Sequence, residues 1–450
     1  SLDQGRTWAK QQMPQTASVI SLSIGKPEND TFYTSILNEG VFKHTTSGWS
    51  FLSPEKGALV VTPENKLFLS QPLGSILLLR QNKVTLPYDK KTKQRYPLQT
   101  ALALSPQNNT ILYAGTNTLF QSLNEGKQWN TISPDLTNGD KGGILSYGTI
   151  SAICESPFQF GLLYTGSDDG MIYTSQNGGV SWQMIYSSFP TPNRVACLLA
   201  SKHVQERVYA ILQNDNHQAL LFRSNNMGKS WDNLKANLPE ETLNVIVEDP
   251  ANEQVLYLGT ENGLYVSFDM GEKWHPFKEN LPRSSVSAIA INPQNNQLYV
   301  GTKGHGFFTA NVTSLRELRA AVQAQLFYPL KETYTIAYSP KWGNAPSPWQ
   351  AAEEPVLYLE SFASKDNNTI KISVVKNKIT LAKFTYQTKV GFNFIPFDLT
   401  FVEDGRIAYE KKLLTTFKKA DNGKYYLPKG NYQIIFESDG FEEERTLVIE

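Results

Sequence analysis

The feature that most restricts this chain is an eight-residue phrase written five times: SLDQGRTW at residue 1, SLNEGKQW at 122, SQNGGVSW at 175, SNNMGKSW at 224 and SFDMGEKW at 267. Its pattern is Ser, any, Asp or Asn, any, Gly, any, any, Trp. Each fixed position carries a turn requirement. Asp or Asn accepts backbone amides two residues on and tolerates left-handed geometry, Gly supplies a positive φ at no steric cost, and the Ser hydroxyl closes the same turn. Trp opens the next strand and offers a large apolar plate to a stacked sheet. The phrase therefore reads as a hairpin turn and not as a ligand site. Its structural residues are Asp3, Trp8, Asn124, Trp129, Asn177, Trp182, Asn226, Trp231, Asp269 and Trp274.

Three further β signals lie around each phrase in fixed order. An apolar run comes first (SVISLSI at 18, ALVVTP at 58, ALALSP at 101, ISAICESP at 150, VACLLAS at 195, NVIVEDP at 244, VSAIAINP at 286). A strand with an aromatic near its start follows, as in ILYAGT, LLYTGS and VLYLGT, and then a third such as TLFQS, MIYTS or GFFTAN. Four antiparallel strands recurring at roughly 40 to 50 residues are the signature of a β-propeller blade. Seven sets of first to third strands are present. Outer strands follow the phrase in QWNTIS, SWQMIY, SWDNLK and KWHPFK, with degenerate versions at GWSFLS and QNKVTLP. The seventh set has no outer strand of its own, and SLDQGRTWAKQQ is an outer strand without a blade. Residues 7–12 are expected to pair with the segment near 306–311, closing the ring and leaving no exposed edge. Residue 1 falls inside a repeat, so the chain is read equally as a complete ring or as a piece of a longer protein.

After Val312 the period changes. Ser314 as N-cap with Glu317 three residues on forms a capping box. Leu315, Leu318, Val322 and Leu326 then follow at helical spacing. Residues 328–354, rich in Pro, Trp and polar groups, read as a linker. From Val356, short alternating strands (VLYLESF, IKISVVK, ITLAKFTY, FNFIPFDLTF, RIAYEKKL, YYLPKGNYQIIFES, EERTLVIE) read as a small sandwich of immunoglobulin type, without the Cys…Trp…Cys core of antibody domains. The expected class is all-β: a seven-bladed propeller over 1–312, helix and linker over 313–354, and an Ig-like β-sandwich over 355–450.

Composition narrows function by exclusion. Lys+Arg and Asp+Glu each number 42, so no net field favours nucleic acid or an anionic membrane. No apolar run approaches the roughly 18 residues a transmembrane helix needs. Cys154 and Cys197 are too few for a disulfide scaffold or a four-ligand zinc site and read as buried free thiols. His44, His203, His217, His275 and His305 are scattered singly, so no metal and no cofactor is expected. Asn-x-Thr sequons at Asn29, Asn108, Asn311 and Asn367 matter only in a eukaryotic secretory pathway.

The repeated phrase is the Asp-box, and residues 1–312 resemble the Asp-box (BNR) propellers, a superfamily that includes sialidases, xyloglucan-cleaving hydrolases and the luminal domain of sortilin-type receptors. The likeness tightens over 132–312, where YGTISAICESPFQFGLLYTGSDDGMIYTSQNGGVSW, NVIVEDPANEQVLYLGTENGLYVSFDMGEKW and QLYVGTKGHGFFTANVTSLREL look like the C-terminal propeller of exported bacterial sortilin-like repeat proteins. Many of those end in an immunoglobulin-like domain and carry a glycosyl hydrolase label by repeat content alone. The resemblance implies export to the periplasm or the bacterial cell surface. Two blades depart from it: TTSGW is a shortened box, and the second blade has none.

In such a ring the turns between second and third strands share one face with the loops joining successive blades, and the Asp-box turns lie on the other. The first face gathers Glu39, Asn117, Asp168, Asp169, Asp215, His217, Glu261, Lys303 and His305, with Tyr147, Arg194 and Arg283 from inter-blade loops. The longest loop, SPDLTNGDKGGILSYG at 133–148, is long enough to lean over the central channel. Three functions follow. A glycoside hydrolase needs two facing carboxyl groups roughly 5–10 Å apart, with Asp168 or Asp169 opposite Glu39 as weak catalytic candidates. Those acids also suit a plain turn, since Asp-Gly favours positive φ. Sialidase chemistry would need three clamping arginines, and only Arg194 and Arg283 lie on this face. A binding or scaffold module would present the face to a peptide, protein or glycan; sortilin-type receptors bind peptides inside the ring. A subunit of a surface complex is the third reading. The binding or scaffold module is the expectation carried forward.

Overall fold

The computed structural model describes residues 9–10, 18–25, 31–45, 47–79, 83–87, 93–139, 147–185, 193–277, 281–313, 327–345, 352–363, 367–389, 391–438 and 441–450. The chain divides into two compact units, Ser1–Thr313 and Ser314–Glu450.

The first unit holds seven four-stranded antiparallel sheets among the described residues. Six are continuous meanders, beginning at Val19, Ala58, Ala101, Ile150, Arg194 and Leu243; they are numbered 1 to 6 in that order. Sheet 7 takes Val286–Asn292, Gln297–Thr302 and Phe307–Asn311 from the end of the unit and Ala9–Lys10 from its beginning. Ala9 lies opposite Thr309 and Lys10 opposite Phe308, antiparallel. The expected closure thus holds at these two residues; Asp3 and Trp8 lie outside the described residues.

The first strands of neighbouring sheets touch in a closed cycle, 1 to 7 and back to 1. At least one hydrogen bond near the loop-bearing end ties each seam. Leu59 N donates to Ser21 Oγ (2.8 Å), Thr100 Oγ1 to Gln71 O (2.7 Å) and Ile150 N to Thr116 O (2.6 Å). Ser151 Oγ donates to Val195 O (2.6 Å) and Gln213 Nε2 to Leu243 O (2.6 Å). Asn244 Nδ2 donates to Val286 O (3.0 Å), and Ser287 Oγ to Val19 O (2.6 Å). Four seams are also tight because a glycine in the second strand lets the next sheet approach. A Cβ on Gly115, Gly166, Gly259 or Gly301 would fall 2.7, 2.3, 2.6 or 2.4 Å from Ile150, Val195, Val286 or Val19 respectively.

The repeated phrase folds as a hairpin turn. In each described full copy (Ser122, Ser175, Ser224 and Ser267), the Ser Oγ donates to the Asn or Asp side chain and accepts the Gly amide four residues on, at 2.8–3.0 Å. One refinement emerges: the Asn or Asp oxygen takes the amide four residues on, 2.9 Å in every copy, not two. The longer reach arises because Gly126, Gly179, Gly228 and Gly271 and the residue before each all sit at positive φ, which turns the chain through two left-handed steps. Trp182 and Trp274 then reach across a seam, donating Nε1–H to Ile132 O (2.9 Å) and Leu234 O (3.0 Å) of the preceding repeat.

The second unit departs from expectation twice. The stretch read as linker supplies two strands: Phe327–Pro329 pairs with Leu357–Ala363, and Thr333–Ile336 runs parallel to the end of Phe441–Ile449. RIAYEKKL, read as a strand, is the body of an α-helix, Glu403–Leu413. Glu403 and Asp404 occupy its first turn and Lys411 and Lys412 its last, matching the helix dipole, and Tyr409 is buried. The helix expected from Ser314 lies outside the described residues. A three-stranded sheet (Phe327–Pro329, Leu357–Ala363, Gly391–Phe397) and a five-stranded sheet share one core. Leu359, Ile395 and Phe397 from the first pack with Ile372, Val374, Ile434 and Leu447 from the second.

Candidate functional site

A cavity of about 620 Å³ runs into the ring, walled by residues from the first strands of all seven sheets, Val19, Ala58, Ala101, Ile153, Cys197, Asn244 and Ser287 among them. Of the loop-face residues singled out in the sequence, Arg194 and Lys303 line it. The rest of the described lining is apolar side chains, hydroxyls and amides, including Ser18, Gln99, Thr100 and Gln213; no carboxylate is among them. Much of the polar lining is committed to the seams, so the wall is rigid: Ser151, Ser287, Asn244 and Gln213 all bond to a neighbouring backbone.

Asp168 and Asp169 are held by other work. Asp168 Oδ1 accepts Gly148 N (2.9 Å) and Thr149 N (2.8 Å), and its Oδ2 accepts Thr149 Oγ1 (2.7 Å). Asp169 is buried; its Oδ2 accepts Asn138 N (2.8 Å) and its Oδ1 the Ser167 hydroxyl. The two acids therefore clamp both described ends of the 133–148 loop. Glu39 sits three sheets away on the 2–3 turn of sheet 1. None of these three acids lines the cavity.

Arg95 and Asp135 complete this clamp and were not singled out in the sequence. Arg95 Nη2 donates to Asp135 Oδ2 (2.8 Å) and Thr137 Oγ1 (2.6 Å), while its Nε donates to Gly148 O (3.0 Å). Asn117 joins through Asp135 Oδ2 (2.9 Å) and the Arg95 amide (2.9 Å). The available signal was the length of the sequence between QNKVTLP and ALALSP, the other long inter-sheet segment.

The remaining face residues are spread along the rim. His217 Nδ1 lies 2.8 Å from Thr242 Oγ1 and 3.2 Å from Glu261 Oε2, an exposed pair that adds little stability. Arg283 Nε donates to Asn262 Oδ1 (3.3 Å), and Asn262 in turn holds the buried Glu241. Burial and the Glu241 carboxylate push the Tyr265 phenol up to about 12, so it stays protonated near neutrality. Asp215 and His305 are exposed, and Tyr147 is half-buried at the end of the clamped loop. Burial pushes the Cys154 thiol up to about 12 and raises Cys197, which keeps both unreactive. They pack into different seams, Cys154 between sheets 4 and 5 and Cys197 between sheets 5 and 6. Among the described residues, no three His, Cys, Asp or Glu side chains gather as a metal site requires. No helix among them is long and apolar enough to cross a membrane.

The family model described as Sortilin, neurotensin receptor 3 (Sortilin-Vps10) matches residues 219–385, from sheet 5 into the second unit. The part of the ring from sheet 5 onward is similar to that family's model. No curated protein matches the sequence. Among solved structures, the family 74 xyloglucanase of Xanthomonas campestris superposes with a TM-score of 0.53 at 14% identity, over 86% of this chain and 60% of that one. The family 74 enzyme of Niastella koreensis gives 0.51 at 14% identity over 97% and 74%. The extracellular domain of the two-component system protein BT3049 of B. thetaiotaomicron gives 0.52 at 11% over 98% and 57%. This chain thus spans about three fifths of the Xanthomonas enzyme's length. At such identities the likeness extends to the all-β propeller fold and not to activity.

Proposed function

We propose that this chain is an exported, non-catalytic binding or scaffold protein. Its seven sheets act as the blades of one ring, and the second unit, an Ig-like sandwich, acts as spacer or second contact. The ligand, a segment of peptide, protein or glycan, enters the loop-bearing end of the ring. The observation that carries this reading is the cavity. Its volume falls within the roughly 300–1,000 Å³ of ligand pockets. Its described wall is preorganised and neutral apart from Arg194 and Lys303, and it carries no carboxylate. Such a wall suits neutral or anionic groups. A glycoside hydrolase needs two carboxyl groups facing the scissile bond. Asp168 and Asp169 spend their oxygens on loop amides instead, and Glu39 does not line the cavity, which favours binding over cleavage.

Isothermal titration of the full chain with tetrapeptides and oligosaccharides tests this, alongside a hydrolysis assay on the same glycans. Saturable binding that weakens roughly ten-fold in Arg194→Gln, without turnover, is the expected result. Turnover that disappears in Asp168→Asn, or binding indifferent to Arg194 and Lys303, would overturn it.

A further inference from the structure

The five-stranded sheet of the second unit ends on Ile379–Gln387, nine residues that pair with Thr369–Lys376 on one side and, among the described residues, with no strand on the other. A free edge of this length is a template for strand addition. Its first half is covered, because Val402 N donates to Leu381 O (2.7 Å) and Gly405 lies close against Thr380 O. The half from Lys383 onward opens on a groove of about 420 Å³. Phe384, Phe397 and Phe401 form the floor, with Pro396 and Val356 beside them. Phe384 stacks on Phe397 at 5.3 Å and 15°. The groove's one acid, Asp398, is 3.6 Å from Lys424 Nζ.

Charge decides what this edge accepts. Residues 367–397 carry Lys371, Lys376, Lys378, Lys383 and Lys389 and no Asp or Glu. Ser373 pairs opposite Lys383 and Lys371 opposite Thr385, which places Lys371 and Lys383 on one face of the sheet, both exposed; Lys371 also lies opposite Glu437 of the next strand inward, so Lys383 is the cation at the edge itself. A second copy of this chain would bring the same lysines and be repelled. An acidic strand would be attracted, so the same residues reject one occupant and select the other. We infer that the open half of Ile379–Gln387 binds an extended, acidic segment of a partner protein by β-strand addition. Main-chain bonds would supply the affinity, alternate apolar side chains would enter the Phe384–Phe401 groove, and Glu or Asp would face Lys383.

The test uses the full chain and two eight-residue peptides of alternating Val and Glu or alternating Val and Lys, followed by fluorescence anisotropy at low and high salt. The Glu peptide is expected to bind at least roughly ten-fold more tightly than the Lys peptide, with the preference shrinking as salt rises. Lys383→Glu should abolish that preference while leaving the thermal melt unchanged, since Lys383 lies opposite the neutral Ser373. Arg194→Gln/Lys303→Gln should leave it intact, which separates this edge from the ring cavity. Equal binding of both peptides, a preference unaffected by the charge reversal, or self-association of the chain at the peptide-binding concentration overturns the inference.

Discussion

Replacing Gly166 by Ala tests whether the seams between sheets, more than the sheets themselves, hold the ring together. The φ of Gly166 is not in the left-handed region, so the substitution adds no backbone strain and acts through space alone. The new methyl would lie 2.3 Å from Val195 Cγ1, 2.6 Å from its Cβ and 3.1 Å from its Cγ2, and Val195 is fully buried. The β-branched side chain cannot rotate clear of a contact that includes its own Cβ, so sheet 5 must shift. Overpacking of this kind costs about 1–3 kcal/mol, against a gain of up to about 1 kcal/mol from replacing glycine in a strand. Val195→Ala alone removes two buried methyls at a cost of about 2 kcal/mol. In the double variant the added methyl occupies part of the vacated space. The pair should therefore cost about 1–2 kcal/mol less than the sum of the singles. Urea unfolding of the four proteins, read by tryptophan fluorescence, supplies the cycle. A neutral Gly166→Ala, or strict additivity, would refute the packing account.

Two further outcomes follow from particular residues. Burial, reinforced by Lys273, holds the His275 imidazole down at about 4 against its ordinary 6.5, so the unfolded chain takes the proton first. The associated stability, about 3 kcal/mol, is present above pH 6.5 and drains away as pH falls toward 4. Melting temperatures from pH 7 to 4 should show that decline in the parent and less of it in His275→Gln, and a flat parent profile contradicts the assignment. Deleting residues 1–12 strips the partner from Phe307–Asn311 and exposes its edge. Light scattering should then show concentration-dependent association, and a monodisperse truncated chain would argue that the closing pair is dispensable.

Much of the ring was legible in the sequence because each repeat announces its own boundaries. The Ser, Asp or Asn, Gly and Trp of every turn act within eight residues, and the apolar runs alternate at strand period. The glycine after the second-strand aromatic was visible too, in YAG, YTG, YLG and YVG, although its reason lies in the next sheet. What stayed hidden depends on meetings between distant segments. Asp168 looks like a turn acid or a catalyst until Gly148 and Thr149 arrive at its oxygens. Arg95 acquires its role only when Asp135, Thr137 and Gly148 close around it. In the second unit, Thr333–Ile336 is four residues in a proline-rich stretch, and it is a strand because Thr446–Ile449 lies alongside. The helix Glu403–Leu413 was the opposite case, since its acidic start and basic end were in plain view and were outweighed by a run of strands on either side.

The pairing of Ala9–Lys10 with Phe308–Thr309 bears on how the molecule is made. The first partner leaves the ribosome about 300 residues ahead of the second, an interval of about 15–60 s at typical rates of elongation. Throughout that interval the nascent ring is an open crescent. Its leading segment has nowhere native to go, and the edge awaiting it does not yet exist. Whatever guards that early strand, whether a chaperone, a preceding domain or its own polarity, governs the yield of closed rings.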